Sequence, residues 1–197
     1  MRLILTRHGE TEENKIGIMQ GHLPGKLSAE GIEQAQKLAL RLKDEKIDFI
    51  YSSDLARASD TAKEIASFHP HAPIKFVEDL RERNLGEFQG KKKSDFGWNP
   101  KDHKATYLEP KEGETIEQLY KRAESFLHTV IVQHCKDTVL FVGHNGINKA
   151  LIAVITGKKH TDVKTIENQR NTSVNIFEID EDKNHTIHAF NCIKHLV

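Results

Sequence analysis

Short apolar runs alternate along this chain with longer stretches in which apolar residues recur at helical spacing. A short apolar run bounded by polar residues and glycines is typical of a buried strand. Such runs predict strands at residues 3–5, 47–51, 74–77 and 138–142, and two closing strands are predicted at residues 173–179 and 185–193. Helical spacing predicts amphipathic helices at residues 28–45, 55–66, 115–130 and 147–156. Since strands and helices alternate, we expect an α/β three-layer sandwich, with a mostly parallel central sheet flanked by helices.

Capping residues mark where three of these helices begin. Ser28 and Thr115 are good N-caps, and Ser53 or Asp54 is expected to cap the helix at residues 55–66. In the first helix, the inward face is expected to hold Ile32, Ala35, Leu38, Ala39 and Leu42.

Three polar stretches interrupt the regular pattern. Residues 10–27 are punctuated by glycine and predict a loop, and residues 79–90 are again polar. Residues 91–113 lack a clear period, which predicts an irregular insert that covers the substrate. Because no repeat or linker is found, residues 1–197 are expected to form a single domain.

The charge balance argues against several classes of partner. Lys+Arg and Asp+Glu each number 29 in 197 residues, so no overall basic field favours nucleic acid or anionic lipid. No apolar segment approaches the length of a membrane span, and the N-terminal apolar run is too short for a signal peptide. Cys135 and Cys192 lie far apart in sequence and predict reduced thiols, with a single disulfide between them as the open alternative. We therefore expect a cytoplasmic protein with no nucleic-acid or membrane partner.

Two of the predicted strands end at a histidine beside glycine. The first strand is followed by Arg7, His8 and Gly9, and the strand at 138–142 is followed by a glycine and His144. The carboxyl ends of parallel strands lie on one edge of a sheet, where open α/β sheets bind ligands, so the two histidines are expected to converge. Gly9, which has no Cβ, permits a sharp turn or a close approach to a ligand.

Two further charged residues are predicted at this edge. Arg57 lies in the first turn of the helix that follows the second strand, where a cation opposes the helix dipole and calls for an anionic partner. Glu82 lies in the polar stretch that follows the third strand.

This set of residues predicts attack on phosphorus. A neutral imidazole is a nucleophile, and a guanidinium offers a planar fork that matches phosphate. We expect His8 to form a phosphohistidine, while Arg7, Arg57 and a protonated His144 hold the non-bridging oxygens. Glu82 would protonate the departing oxygen and later take a proton from water. Since cationic side chains supply the positive charge, neither a metal nor a cofactor is expected.

The motifs that carry this chemistry resemble those of the histidine phosphatase superfamily, in its phosphoglycerate mutase-like branch. The shared features, in family order, are Thr6–Thr11, Asn14, Gln20–Gly21, Leu27–Gly31, Tyr51–Arg57, Leu80–Arg83 with Gly86 and Gly90, Gly113–Thr115 and Gly143–His144. The segments 80–91 and 112–115 are most similar to fructose-2,6-bisphosphatase-like and broad-specificity phosphatases. The resemblance covers nearly the whole chain and implies a phosphoglycerate mutase-like fold.

The resemblance also implies a role for each matched residue. It makes His8 the phosphorylated nucleophile and Glu82 the proton donor and acceptor. The rest of the implied phosphate pocket is Arg7, Arg57 and His144, and the implied substrate contacts are Asn14, Gln20 and Gly21.

One position departs from the family pattern. Asn145 follows His144 where many relatives have glycine, and Gly146 comes only afterwards. We therefore expect the Asn145 amide to contribute to substrate binding in place of that glycine backbone.

The expected function is hydrolysis of small phosphorylated metabolites such as sugar phosphates. One alternative is a cofactor-dependent phosphoglycerate mutase, but the insert is shorter than in those enzymes and lacks their Arg-Arg pair, and an open pocket admits water. A non-catalytic phosphate-binding module is the other alternative, although both His8 and Glu82 are present. Lys91, Lys92 and Lys93 either attract a second phosphate or form a solvated run. A homodimer is compatible with the pattern without being required by it.

Overall fold

A single six-stranded sheet forms the centre of the computed structural model, which describes residues 1–96, 109–180 and 184–197. The strands are β1 (Arg2–Arg7), β2 (Phe49–Ser53), β3 (Ile74–Val77), β4 (Thr138–Gly143), β5 (Val174–Ile179) and β6 (His185–Cys192). Their order across the sheet is β3-β2-β4-β1-β5-β6, and the first four are parallel neighbours. The pairings of β1 with β5 and of β5 with β6 are antiparallel. The expected mostly parallel sheet is confirmed.

Helices cover both faces of the sheet. They are α1 (Glu12–Lys15), α2 (Ala29–Leu42), α3 (Ala56–Ala66), α4 (Ile116–Gln133) and α5 (Asn145–Ile155). Side chains alternate across a strand, so Ile4 of β1 packs with α2 and α3, whereas Leu3 and Leu5 pack with α4 and α5. The two apolar clusters therefore lie on opposite faces of one sheet, and the three-layer sandwich is confirmed.

The inward face of α2 differs from the expected one at Ile32. This side chain is 46% exposed, while Gly31 is buried together with Ala35, Leu38, Ala39 and Leu42. A Cβ at Gly31 would collide with the backbone of Glu10, so only glycine allows this close contact. The approach of α2 to the end of β1 fixes the rotation of the helix and turns Ile32 outward.

The caps of the helices agree only partly with the sequence prediction. Ser28 caps α2 as expected, and Thr115 caps α4 in a reciprocal capping box. The N-cap position of α3 is instead Leu55, which makes no side-chain cap bond, and Ser53 accepts a hydrogen bond from the Leu55 amide at 3.2 Å. Residues 10–27 also contain the short helix α1, which begins with a capping box at Thr11.

Part of the predicted insert at 91–113 lies outside the described residues. The structure describes its two ends, residues 91–96 and 109–113, and the first of them contains a 3₁₀ turn at Lys93–Phe96. Cys135 and Cys192 are free thiols. Within the described ranges, no helix is long and apolar enough to span a membrane. The single-domain organisation stays a prediction.

Candidate active site

The parallel pairing of β1 with β4 brings the two strand-end histidines together. Arg7 is in register with Gly143, and the His8 amide donates to the Gly143 carbonyl at 3.1 Å. The His8 and His144 rings lie 5.0 Å apart between centroids, so the expected convergence is confirmed. Gly9 also allows close packing against α2, because a Cβ there would collide with the Gly31 carbonyl oxygen.

Hydrogen bonding fixes the tautomer of His8. Its Nδ1 lies 2.6 Å from the Gly9 carbonyl oxygen, which can only accept, so Nδ1 carries the proton and Nε2 keeps its lone pair. Burial, with smaller contributions from Arg7 and Arg57, lowers the pKa of His8 well below its ordinary value. His8 is therefore a neutral imidazole with a nucleophilic Nε2.

His144 has the opposite arrangement of ring protons. The Arg57 Nε donates to His144 Nδ1 at 3.2 Å, which leaves the proton on Nε2. That Nε2 is buried and has no hydrogen-bond partner among the described residues. Burial and the neighbouring Arg57 lower the pKa of His144 well below its ordinary value. Both observations favour a neutral His144 ring over the expected protonated one, and the neutral ring still carries a donor hydrogen for a phosphoryl oxygen.

Two arginines supply the positive charge of the site. Arg57 is 1% exposed and donates to the carbonyls of Gly21 and Leu23, at 2.8 and 2.9 Å. Burial lowers the pKa of Arg57 to about 10, so it stays charged at neutral pH. Arg7 donates through Nη1 to the Gln169 carbonyl at 2.7 Å, and its buried Nε has no partner in the described part of the chain. An anion that enters the site thus meets a donor of Arg7 already oriented by the fold.

The carboxylate of Glu82 is held by backbone amides. Gly146 N lies 2.9 and 3.1 Å from its two oxygens, and Arg83 N donates to Oε1 at 2.9 Å. Gly146 belongs to the first turn of α5, directly after His144 and Asn145. The backbone of Gly146 therefore contacts the proposed proton donor.

An ion pair fixes the loop that carries Glu82. Arg122 of α4 forms a bidentate pair with Glu114, at 2.7 and 2.8 Å, and both side chains are largely buried. The same guanidinium donates to the carbonyls of Asp79 and Arg81, at 2.6 and 3.0 Å, and to that of Glu82 at 3.4 Å. The loop after β3 is thereby attached to α4 through one side chain.

The site opens into a cavity of about 240 Å³. Eight of the nine predicted site residues line it, namely Arg7, His8, Asn14, Gln20, Gly21, Arg57, Glu82 and Asn145. The ninth, His144, is fully buried against His8 and Arg57.

The predicted substrate contacts also have structural partners. Asn14 Oδ1 accepts from the Thr11 amide at 3.3 Å, and Gln20 Nε2 donates to the Thr11 hydroxyl at 2.8 Å. The Gly21 carbonyl is occupied by Arg57. Asn145 Oδ1 accepts from the Gln169 amide at 2.8 Å, so this side chain fixes the loop before β5.

Several cavity residues were missing from the sequence-based set or were left undecided there, among them two lysines and an asparagine. Lys149 of α5 and Asn168 both line the cavity, and Lys93 is the one member of the lysine run that does so, since Lys91 and Lys92 are exposed. Lys149 could have been noticed, because it interrupts the apolar stretch Ile147–Ile155. In the described ranges, no group of His, Cys, Asp and Glu side chains is arranged to hold a metal ion.

The family follows from comparison with known proteins. The model described as "Histidine phosphatase superfamily (branch 1)" matches residues 3–192. The chain belongs to this superfamily. This match, together with the phosphatases named among the relatives, confirms the expected class of enzyme, a phosphatase of the superfamily.

Individual relatives extend over nearly the full length of this histidine phosphatase. It is 34% identical to phosphoglycerate mutase-like protein 4 of Arabidopsis thaliana, over 98% of this chain and 86% of the relative. It is 33% identical to a metal-independent phosphoserine phosphatase of the same plant, over 98% and 82% of the two chains. A solved phosphoserine phosphatase of Entamoeba histolytica, in complex with 3-phosphoglyceric acid, has a TM-score of 0.86 at 27% identity, over 100% of this chain and 99% of its own.

Proposed function

We propose that this chain is a phosphomonoester hydrolase that acts on small phosphorylated metabolites through a phosphohistidine on His8. The observation that carries the proposal is the tautomer of His8, whose Nδ1–H is held by the Gly9 carbonyl. This leaves the lone pair of Nε2 on a neutral ring that lines a cavity with Arg7, Arg57 and Glu82. These groups are the ones that phosphoryl transfer to histidine requires.

In the first step, His8 Nε2 attacks phosphorus while the bond from phosphorus to the leaving oxygen breaks. The protonated carboxyl of Glu82 gives its proton to that oxygen, so the product leaves as an alcohol. Arg7, Arg57 and the Nε2–H of His144 hold the three non-bridging oxygens, whose charge grows during transfer. The route draws its positive charge from side chains and uses no metal.

In the second step, water attacks phosphorus and the bond between nitrogen and phosphorus breaks. The Glu82 carboxylate accepts a proton from that water and is ready for another cycle. The products are inorganic phosphate and neutral His8. Phosphoserine phosphatases among the relatives support hydrolysis over isomerisation, whereas the mutase-like plant relative keeps phosphoglycerate mutase as the second candidate.

The test is a panel of phosphate esters assayed without added metal. It contains 3-phosphoglycerate with 2,3-bisphosphoglycerate, sugar phosphates and 4-nitrophenyl phosphate. We expect phosphate release together with acid-labile phosphate on the protein, and both should disappear in His8→Ala. Glu82→Gln should slow alkyl phosphates far more than the aryl ester, whose leaving group needs no proton.

Other outcomes would reject the proposal. Full activity in His8→Ala would remove the phosphohistidine, and equal slowing of both ester types in Glu82→Gln would remove the acid role. Isomerised phosphoglycerate without net phosphate release would identify a mutase. Phosphate binding with no turnover of any ester would identify a binding module.

A further inference from the structure

One histidine outside the proposed catalytic set contacts the backbone of the proposed proton donor. His22 is half-buried in the segment at residues 10–27. Its Nε2 lies 2.8 Å from the carbonyl oxygen of Glu82, a residue 60 positions further along the chain. A carbonyl oxygen can only accept, so Nε2 carries a proton and His22 is the donor of this hydrogen bond. The proposed catalytic steps do not use His22.

This hydrogen bond fixes the peptide group between Glu82 and Arg83. The carbonyl of that group accepts from His22, while its N–H, which is the Arg83 amide, donates to Glu82 Oε1 at 2.9 Å. A trans peptide is planar and its C=O and N–H point in opposite directions, so a donor that holds the oxygen also fixes the direction of the hydrogen. Such a donor polarises the N–H as well and strengthens the hydrogen bond that it makes. His22 therefore aims a backbone donor at the carboxylate of Glu82.

The backbone on either side of His22 is held in turn by the arginine proposed to bind the phosphoryl group. Arg57 donates to the carbonyls of Gly21 and Leu23, at 2.8 and 2.9 Å. The His22 amide donates to Gln89 Oε1 at 2.7 Å. These three hydrogen bonds fix the backbone from which the imidazole extends. The His22 side chain thus connects the guanidinium of the phosphoryl site to the peptide that orients the proton donor.

A second donor to the Glu82 carbonyl, among the described residues, is more distant. Arg122 Nη2 lies 3.4 Å from this oxygen, and the same guanidinium also donates to two other carbonyls and to Glu114. Without the His22 ring, the carbonyl would keep only this longer contact, and the peptide could rotate and turn its N–H away from the carboxylate. Because the Gly146 amide would still hold the carboxylate, we expect a partial loss of proton transfer.

We propose that His22 is a positioning residue for proton transfer by Glu82, acting through the peptide group between Glu82 and Arg83. The inference rests on the proposed hydrolase function and adds a residue to its mechanism. His22 acts on the step in which the leaving oxygen receives its proton, and binding of the phosphoryl group does not depend on it.

Two substitutions separate the hydrogen bond from the packing of the ring. His22→Gln keeps a side-chain N–H at about the reach of Nε2 and should retain most of the activity, whereas His22→Phe keeps the volume of the ring without a donor and should behave like His22→Ala. The readout is kcat/KM for glycerol 3-phosphate divided by kcat/KM for 4-nitrophenyl phosphate, whose leaving group needs no proton. His22→Ala and His22→Phe should lower this ratio about twofold to tenfold, the range for one neutral hydrogen bond.

Three controls accompany the ratio. The inhibition constant of inorganic phosphate should stay unchanged in each His22 variant, because the groups proposed to bind the phosphoryl oxygens keep their contacts, and thermal unfolding shows whether each variant is folded. In the Glu82→Gln background, His22→Ala should have little further effect on the alkyl ester. His71→Ala removes an exposed imidazole and should leave the ratio unchanged.

Each result has a definite consequence. An unchanged ratio in His22→Ala, an equal loss for both esters, or rescue by phenylalanine rather than glutamine overturns the inference while the hydrolase stands. A loss in His22→Ala that adds in full to the loss in Glu82→Gln also overturns it. No hydrolysis of either ester by the wild-type protein is instead a failure of the proposed function.

Discussion

Replacing Gly146 by alanine would test how the fold holds the proposed proton donor. The Gly146 amide donates to both carboxylate oxygens of Glu82. A Cβ at this position would overlap Glu82 Oε1 and would lie 3.3 Å from its Cδ. Because the overlap involves the end of a flexible side chain, Glu82 can move away while the backbone stays in place.

The expected effects on activity and stability have opposite signs. Relief of the overlap moves the carboxylate by about 1 Å, and a displacement of that size costs up to about a hundredfold in rate when the group acts in the transition state. Gly146 is the second residue of α5, so a glycine-to-alanine change gains at most the roughly 1 kcal/mol that applies in a helix interior. Gly146→Ala should therefore fold, should be as stable as wild type or slightly more stable, and should have a low kcat for alkyl phosphates.

The assay compares kcat for glycerol 3-phosphate and for 4-nitrophenyl phosphate, together with the free energy of unfolding in urea. The double variant with Glu82→Gln shows whether the loss acts through Glu82, since the two effects should then fail to add. Gly157→Ala is a matched control, because Gly157 has a φ of +65° and no atom within 4 Å of an added Cβ. It should lose stability through backbone strain and keep its activity.

Three results would refute this reasoning. Unchanged alkyl-phosphate turnover in Gly146→Ala would show that the Gly146 contact does not position Glu82. Additive losses in the double variant would show that Gly146 acts through another group. A large loss of stability would show that the backbone of α5 had shifted, which the position of the overlap argues against.

Two other perturbations follow from the site. The pKa values of His8 and His144 are lowered in the folded protein, so just below pH 6.5 the unfolded chain binds more protons than the folded one. The free energy of unfolding should therefore fall as pH drops below 6.5, by up to about 1.4 kcal/mol per pH unit for each histidine. Urea unfolding of both proteins from pH 5 to 8 checks this. Wild type should become more stable relative to His8→Ala as pH rises, and the opposite trend would contradict the burial argument. Arg122→Gln removes the bidentate pair with Glu114 and the bonds to three loop carbonyls, so unfolding should become easier by about 2–4 kcal/mol and kcat should fall more for alkyl than for aryl phosphates. Glu114→Gln is its partner variant. If the losses in stability of the two single variants simply add in the double variant, the two side chains do not act as a pair.

The sheet and the meeting of the two histidines could be predicted because they depend on local patterns. The apolar runs that became β1 and β4 are bounded by polar residues, and each ends at a histidine beside glycine. Parallel topology places both ends on one edge, and the pairing of β1 with β4 then brings His8 and His144 together.

Packing between distant segments could not be predicted in this way. Ile32 fits the apolar period of α2, yet the close contact of Gly31 with the end of β1 turns it outward. The Gly9 contact with Gly31 has the same origin. Both depend on where a helix is placed against a strand, which periodicity does not contain.

The chain by itself therefore determined the class of fold, its phosphohistidine chemistry as an expectation, and eight of the residues that line the cavity. Only the tertiary structure decided the protonation of the site, since burial beside Arg57 makes His144 neutral. It also decided that Gly146 holds Glu82 and that Lys149 enters the cavity. The physical reason is that strand ends and caps are set by neighbours in sequence, whereas burial, electrostatic coupling and close backbone contacts arise between segments that meet only when the sheet and helices are assembled.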